Sequence, residues 1–245
     1  MWPFSSKTTL QHLGALKGFA DHHSHILPGV DDGMRTMADA IAALRAYESE
    51  GVEEVWLTPH IMEDYPSTTD DLRRKFDELS DTYRANCGAR PLKLHLGAEH
   101  MLDSLFIKRF AARDLLTLDD EGSLLVETSY FSAPADLYGI LADIQDAGYT
   151  PVLAHPERYM YMRDDDYERL HESGVLFQLN IVAVAGAYGR EAAARAEKLL
   201  NAGYYAMAGS DIHSLRSLKA AINAPVKSST ARKVIELINQ QNTNI

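Results

Sequence analysis

Histidines and carboxylates recur at the ends of short apolar runs in this 245-residue sequence. Five of the ten histidines and four carboxylates occupy such positions, within segments 21–25, 31–33, 58–60, 97–99, 126–127, 154–155 and 210–213. Imidazole and carboxylate together form a ligand set that suits Zn²⁺, Mn²⁺ and Fe²⁺. Nine such groups are too many for one ion and suit a cluster of two or three. The pattern therefore predicts a metal-dependent hydrolase, and its acidic ligands favour phosphate esters as substrates.

Apolar runs typical of strands alternate with helical patterns, as in βα units built on a parallel sheet. We predict strands at 18–23, 54–58, 93–97, 123–127, 151–154, 175–179 and 205–208, and helices at 37–50, 69–86, 135–147, 164–172, 191–201 and 230–240. Residues 102–118 have a less regular helical pattern. Seven βα repeats with short connections predict a single-domain α/β fold closed into a barrel, with residues 18–245 forming the barrel and 1–17 an N-terminal extension.

The candidate ligands lie at or just after the C-terminal ends of the predicted strands, which is where barrel enzymes place their active sites. His23 and His25 point to the same face of an extended segment because side chains alternate along a strand. Glu99 and Glu127 end two strands, where a carboxylate can bridge two ions. A lone histidine at a strand end is usually structural, but the joint occurrence of these residues at six strands favours a metal site.

Charge, hydropathy and cysteine content exclude several classes of function. The formal net charge of −11 argues against a broad surface for nucleic acid or anionic lipid. No apolar run is long enough to span a membrane, which predicts no membrane insertion. The single cysteine, Cys87, and the lack of a signal-peptide pattern predict a cytoplasmic location. Cys87 is followed by Lys93 where a cysteine-dependent phosphatase needs arginine, so attack by a metal-activated hydroxide is the predicted mechanism.

The segments "DHHSHILPGVDDG", "TPH", "GAE", "AHPERY" and "SDIH" resemble the polymerase and histidinol phosphatase (PHP) superfamily. Within it they resemble the bacterial manganese-dependent tyrosine-protein phosphatases of capsule and exopolysaccharide clusters. The resemblance spans residues 20–215 and implies a distorted (β/α)7 PHP-type barrel with three divalent ions, Mn²⁺ first, with Fe²⁺ or Zn²⁺ as alternatives. It assigns the ions to His23, His25, Glu99 and Asp211; to Glu99, Glu127 and His155; and to Asp32, His60 and His213, with Asp31 as the alternative to Asp32.

Two arginines are candidate catalytic residues. Arg158, three residues after His155, suits a phosphate clamp because a guanidinium matches two phosphate oxygens, the alternative being an ion pair with Glu157 or Asp164. Arg216 is the second candidate, although the resembled phosphatases have their arginine slightly further along, and Arg190 is a third arginine to consider.

The resemblance implies hydrolysis of protein phosphotyrosine, with a bacterial tyrosine kinase that governs polysaccharide export as partner. Three alternatives stay open: a small-molecule phosphatase such as a histidinol phosphatase, a phosphodiesterase or nuclease, and a non-catalytic metal-binding module.

Overall fold

A computed structural model describes residues 6–242 and contains two parallel sheets with helices packed against them. The strands are β1 (Lys7–Thr8), β2 (Ala20–Ser24), β3 (Glu54–Leu57), β4 (His60–Ile61), β5 (Lys93–Leu96), β6 (Glu99–Met101), β7 (Ser123–Glu127), β8 (Thr150–Ala154), β9 (Leu176–Asn180), β10 (Tyr205–Gly209) and β11 (Val226–Lys227). The α-helices are α1 (Met37–Glu50), α2 (Thr69–Asn86), α3 (Ser104–Ala112), α4 (Leu137–Asp146), α5 (Asp164–Glu172), α6 (Gly189–Ala202), α7 (Leu215–Ile222) and α8 (Ser228–Gln241).

The seven predicted strands and six predicted helices all have counterparts whose ends differ from the prediction by at most two residues. The short strands β1, β4, β6 and β11 and the helix α7 were not predicted. Residues 1–5 of the predicted extension and 243–245 of the predicted barrel lie outside the described residues. Within residues 6–242, every helix is too short or too polar to cross a lipid bilayer.

The chain passes directly from the smaller parallel sheet to the larger one at two neighbouring places. The larger sheet has the order β10-β9-β8-β7-β6-β4, and the smaller has the order β2-β3-β5. Pro59 lies between β3 and β4, and it ends the strand because proline has no N–H with which to continue the backbone hydrogen bonds of the sheet. Gly97 and Ala98 separate β5 from β6. Strands β4 and β6 then pair with each other, with His60 opposite Glu99. The first residue after each of the two crossings is therefore a predicted ligand.

The two sheets approach each other again where β2 lies beside β10. The His25 N–H donates to the carbonyl of Ile212 at 3.0 Å, and the Asp211 N–H donates to the carbonyl of His23 at 2.8 Å. A β-carbon on Gly209 would clash with that of His23, so only glycine permits this approach. The α/β architecture with parallel strands agrees with the prediction, whereas closure into a (β/α)7 barrel stays a prediction.

Helix α1 links these two strand ends through a buried polar network. Thr36 caps the helix in a capping box with Asp39, which fixes where the helix begins. At its other end, the buried Tyr47 hydroxyl lies 2.8 Å from Asp21 Oδ2 and 2.7 Å from Ser210 Oγ. Asp21 also accepts the backbone N–H of Ser210 at 2.8 Å. The network holds the segments immediately before His23 and Asp211 in register.

The side chain of Gln241 also joins β2 and β10, at the first residue of β2 and near the end of β10. It donates to the carbonyl of Ala20 and accepts from the N–H of Ala208, both at 2.7 Å. In Gln241→Leu, both buried backbone groups lose these bonds, and we expect the free energy of unfolding to fall by roughly 2 kcal/mol. Urea denaturation measures the change. Asn239→Leu, on the exposed face of α8, is the matched control, and equal stability of the two variants would contradict this role.

Candidate metal centre

The structure brings the nine predicted metal ligands into one cluster at the C-terminal ends of the strands. Within each of three groups, the candidate ligand atoms lie within 4.8 Å of one another. These groups are His23, His25, Glu99 and Asp211 (the first group); His60, Glu99 and Glu127 (the second group); and His25, Asp32, His60 and His213 (the third group). His155 adjoins the second group through Glu99. Asp32 is exposed and His213 half-buried, while the other seven side chains are buried.

Glu99 lies at the middle of the cluster. Its Oε2 atom is 3.2 Å from His23 Nε2, 3.3 Å from His25 Nε2 and 3.1 Å from His60 Nδ1. Its Oε1 atom is 2.8 Å from His155 Nε2. Burial alone would raise the pKa of Glu99, but the neighbouring imidazoles of His23 and His60 hold that pKa well below its usual value. The carboxylate therefore stays ionised, and it belongs to both the first and the second group.

Asp211 and His155 reach the cluster from left-handed backbone. Their φ angles are 52° and 35°, a conformation that costs a residue other than glycine about 1–3 kcal/mol. Hydrogen bonds hold both residues in place: Asp211 N–H donates to the carbonyl of His23 at 2.8 Å, and His155 N–H donates to the carbonyl of Gln178 at 2.9 Å. Asp211 Oδ1 consequently lies 3.3 Å from His25 Nε2. The backbone is strained at two of the positions that deliver ligands.

The rings of His23 and His25 are oriented by hydrogen-bond partners behind them. His23 Nδ1 lies 2.7 Å from Oε1 of Gln178, and His25 Nδ1 lies 2.8 Å from Oδ2 of Asp31. Because both partners are acceptors, each Nδ1 carries a proton, and the Nε2 atom of each ring faces the cluster. Metal-bound histidines commonly have such a partner on their second nitrogen.

Asp31 and Asp32 have different positions in the cluster. Asp31 lies behind His25 and also accepts the backbone N–H of His60 at 3.0 Å. Asp32 Oδ1 faces the third group, 3.3 Å from His213 Nε2 and 3.6 Å from His60 Nε2. Asp32 is therefore the one of the two whose carboxylate shares a group with His60 and His213.

His60 takes part in two groups, whereas the sequence prediction places it only with Asp32 and His213. Its Nε2 atom faces Asp32, and its Nδ1 atom lies 2.9 Å from Glu127 Oε1. The cause is the register of the sheet, because β4 pairs with β6 so that His60 lies directly opposite Glu99. His155 approaches the same carboxylates from the other side, with its Nε2 atom 3.8 Å from Glu127 Oε2.

The donor atoms of the second group fit divalent cations. Within residues 6–242, the buried atoms Glu99 Oε2, Glu127 Oε1 and His60 Nδ1 have no hydrogen-bond partner. Leaving buried polar atoms unpaired is costly, and a cation between them would satisfy all three. A mixed set of imidazole nitrogens and carboxylate oxygens suits Mn²⁺, Fe²⁺ and Zn²⁺ alike. The residues present therefore fit a cluster of divalent ions.

Arg158 lies next to the cluster and contacts one of its carboxylates. Its Nη1 atom donates to Asp211 Oδ2 at 2.9 Å. The guanidinium carbon is 4.1 Å from the centre of the Tyr130 ring and 4.0 Å from that of Tyr188, so two aromatic rings flank the cation. Burial opposes the charged form, but Asp211 raises the pKa of Arg158 above its usual value.

The two ion pairs weighed as alternatives for Arg158 are replaced by other contacts. Glu157 is buried and accepts from the Asn180 N–H at 3.0 Å and the Tyr205 hydroxyl at 2.9 Å. Asp164 pairs with Lys198 at 2.5 Å.

Arg216 lies in the first turn of α7 and is exposed. Within the described part of the chain, Arg216 makes no hydrogen bond or ion pair, and it belongs to none of the three groups.

Three side chains that support the site were not predicted. Gln178 orients His23, while Asn180 Nδ2 and the Tyr188 hydroxyl donate to Asp211 Oδ2 at 2.9 and 3.3 Å. Gln178 and Asn180 alternate with apolar residues along β9, so a search for polar residues with a period of two would find them. Tyr188 lies in an irregular segment that offers no comparable pattern.

The sequence pattern of the family described as capsular polysaccharide synthesis, CpsB/CapC, matches residues 19–243. The chain belongs to the CpsB/CapC family. This confirms the family predicted from the motifs.

Tyrosine-protein phosphatases from other bacteria resemble the chain over most of its length. Tyrosine-protein phosphatase YwqE from Bacillus subtilis is 30% identical, over 80% of this chain and 78% of that protein. Putative tyrosine-protein phosphatase CapC from Staphylococcus aureus is 26% identical, over 80% of this chain and 77% of that protein. A chain from the crystal structures of YwqE from Bacillus subtilis and CpsB from Streptococcus pneumoniae, described as unique metal-dependent tyrosine phosphatases, aligns with a TM-score of 0.76 and 29% identity, covering 89% of this chain and 86% of that one.

The contact between Gln178 and His23 predicts a measurable effect on metal binding in this CpsB/CapC protein. Gln178→Ala frees the His23 ring to rotate, and we expect the affinity for Mn²⁺ to fall about 10–100-fold. Calorimetric titration of metal-free protein measures it. The control is Gln145→Ala, which removes a bond to the carbonyl of Ser173 on the surface and should bind Mn²⁺ like the wild type. Wild-type affinity in Gln178→Ala would show that His23 needs no partner.

Proposed function

We propose that this chain is a metal-dependent protein-tyrosine phosphatase that hydrolyses phosphotyrosine monoesters. The observation that carries the proposal is the convergence of three groups of candidate metal ligands, two of which share Glu99, beside the guanidinium of Arg158. The names of YwqE, CapC and CpsB support a phosphotyrosine substrate for this chain as well.

We assign three divalent ions to the cluster, with Mn²⁺ as the first choice and Fe²⁺ or Zn²⁺ as alternatives. His23, His25, Glu99 and Asp211 would hold one ion; Glu99, Glu127 and His155 a second; and Asp32, His60 and His213 a third. When bound, such ions neutralise charge on a phosphate and lower the pKa of a water molecule toward neutrality. Three divalent ions carry six positive charges against four ligand carboxylates, so the surplus of about two suits a phosphate dianion.

Arg158 is the residue that we assign to phosphate binding. One of its N–H groups is occupied by Asp211, and the fork of the guanidinium leaves others to donate to phosphate oxygens. The rings of Tyr130 and Tyr188 restrict how that fork turns, so less entropy is lost when phosphate binds. Arg216 stays a second candidate for phosphate binding.

We also propose a partner, a cellular location and a closed barrel for this chain. Membership of a family of capsular polysaccharide synthesis supports a phosphorylated tyrosine kinase of polysaccharide export as partner, and with it a cytoplasmic location. The hydrogen bonds between the ends of β2 and β10 and the bridge through Gln241 support closure of the sheets into a distorted (β/α)7 barrel. We propose that the barrel comprises residues 18–245 and follows an N-terminal extension of residues 1–17.

The proposal is tested by stripping the protein with a chelator and restoring Mn²⁺, Fe²⁺ or Zn²⁺ separately. We expect turnover of a phosphotyrosine peptide to vanish without metal and to return with at least one of these ions. Histidinol phosphate and a phosphodiester should be turned over far more slowly. A preference for histidinol phosphate by several orders of magnitude would replace this function with a small-molecule phosphatase.

Glu99→Gln tests the carboxylate that the first and second groups share. The amide keeps the shape of the side chain but removes a negative charge, so we expect fewer bound ions and at least a hundredfold lower turnover of the peptide. Metal content by mass spectrometry and circular dichroism separate metal loss from unfolding. Glu121→Gln, at an exposed position, is the matched control. Full metal content and activity in Glu99→Gln would contradict the bridging role.

Arg158→Ala should keep its metal and bind phosphate more weakly, by about 1.5–3 kcal/mol for the loss of a charged hydrogen-bonding partner. The inhibition of phosphotyrosine-peptide turnover by inorganic phosphate measures this affinity. Arg232→Ala on α8 is the exposed control, and Arg216→Ala is measured beside it. Wild-type inhibition in Arg158→Ala would remove the clamp, and the same result in Arg216→Ala would remove the second candidate.

A further inference from the structure

A cleft of about 510 Å³ opens beside Arg158, between the turn Pro156–Arg158 and the start of α6. Its lining includes Tyr130, Arg158, Met160, Tyr188, Arg190 and Arg195. The cleft adjoins the metal cluster, because two of its lining side chains contact a candidate ligand: Arg158 Nη1 and the Tyr188 hydroxyl lie 2.9 and 3.3 Å from Asp211 Oδ2. A group bound in this cleft would therefore lie next to a phosphate held at the cluster.

The cleft is locally cationic on a chain whose formal net charge is −11. Three arginines line it together with one acidic residue, Glu191. Arg195 Nε donates to the backbone carbonyl of Glu157 at 2.8 Å, so a neutral group takes that bond. Arg190 is exposed and, within residues 6–242, forms no hydrogen bond or ion pair. Arg190 is thus the arginine of the cleft whose whole guanidinium is available to a ligand.

Large apolar side chains are exposed beside the same cleft. Met160 is 59% exposed, and Phe131 is 75% exposed. The N–H of Met160 donates to the carbonyl of Tyr130 at 2.8 Å, which brings their two segments side by side. A surface that combines exposed apolar side chains with an unpaired cation suits a polypeptide better than a small inorganic anion.

We infer that this cleft binds an acidic side chain of the substrate polypeptide, close in sequence to the phosphotyrosine, and that Arg190 selects for it. The inference rests on the proposed function. Charge complementarity fixes the occupant as a carboxylate, because Arg190 offers a fork of N–H donors without an acidic partner. A polyanion such as nucleic acid would meet the negative field of the rest of the chain.

The test uses the 245-residue chain loaded with Mn²⁺ and three phosphotyrosine peptides. The peptides differ only in the residues flanking the phosphotyrosine, which are Glu, Gln or Lys. We expect the wild type to have a kcat/KM about tenfold higher for the Glu peptide than for the Lys peptide. Arg190→Glu should reverse this preference, and Arg190→Gln should abolish it. Arg232→Glu, an equal charge reversal at an exposed position on α8, should keep the wild-type preference.

Other results would overturn either the inference about Arg190 or the proposed function. Equal kcat/KM for the three peptides in the wild type, or a preference unchanged by Arg190→Glu, would overturn the inference while leaving the phosphatase intact. If Arg190→Gln lowers kcat/KM equally for all three peptides and for p-nitrophenyl phosphate, Arg190 binds the phosphate and not a flanking side chain, and the inference is wrong. A wild type inactive on every phosphotyrosine substrate would overturn the proposed function and this inference with it.

Discussion

The burial of three carboxylates at one point is the constraint on which the rest of the structure depends. Glu99, Glu127 and Asp211 have at most 4% of their surface exposed. Burying an ionised carboxylate costs several kcal/mol unless positive charge or hydrogen-bond donors surround it. Imidazoles surround Glu99 on several sides, and the pKa of Asp211 is held well below its usual value by His23 and His25 although burial opposes this. Such a concentration of negative charge favours cations.

The fold keeps these groups in place with polar networks behind them. Asp21, Tyr47 and Ser210 connect β2, α1 and the segment after β10 before the chain turns through the strained Asp211. On the other side, Glu157 connects the turn after His155 to Asn180. Both strained residues are therefore adjacent to buried carboxylates that hold several elements at once. Strain persists at functional sites where the surrounding structure fixes the conformation in this way.

The elements and the ligand candidates could be predicted from the sequence because their signals are local. Apolar runs and helical periodicity give the main strands and helices to within two residues, and most of the candidate ligands lie at or shortly after the end of one of those runs. The strands β4 and β6 have two and three residues, too few to show a period, so the passage between sheets was missed. The second role of His60 depends on that passage, since only the pairing of β4 with β6 sets it opposite Glu99.

Arg158 itself could be predicted from the sequence, but the residues around it could not. Its position after His155 marks it as a candidate, but Tyr188 is thirty residues away in an irregular segment, and only tertiary structure sets the two together. The same holds for the cleft between Arg158 and α6.

The central claim is that one buried cluster holds several divalent ions, and anomalous diffraction from crystals grown with Mn²⁺ tests it most directly. The account predicts three peaks, neighbouring ones about 3.5–4 Å apart, with Glu99 bridging two of them. Clear density for the side chains with no anomalous peak at Glu99 would contradict it.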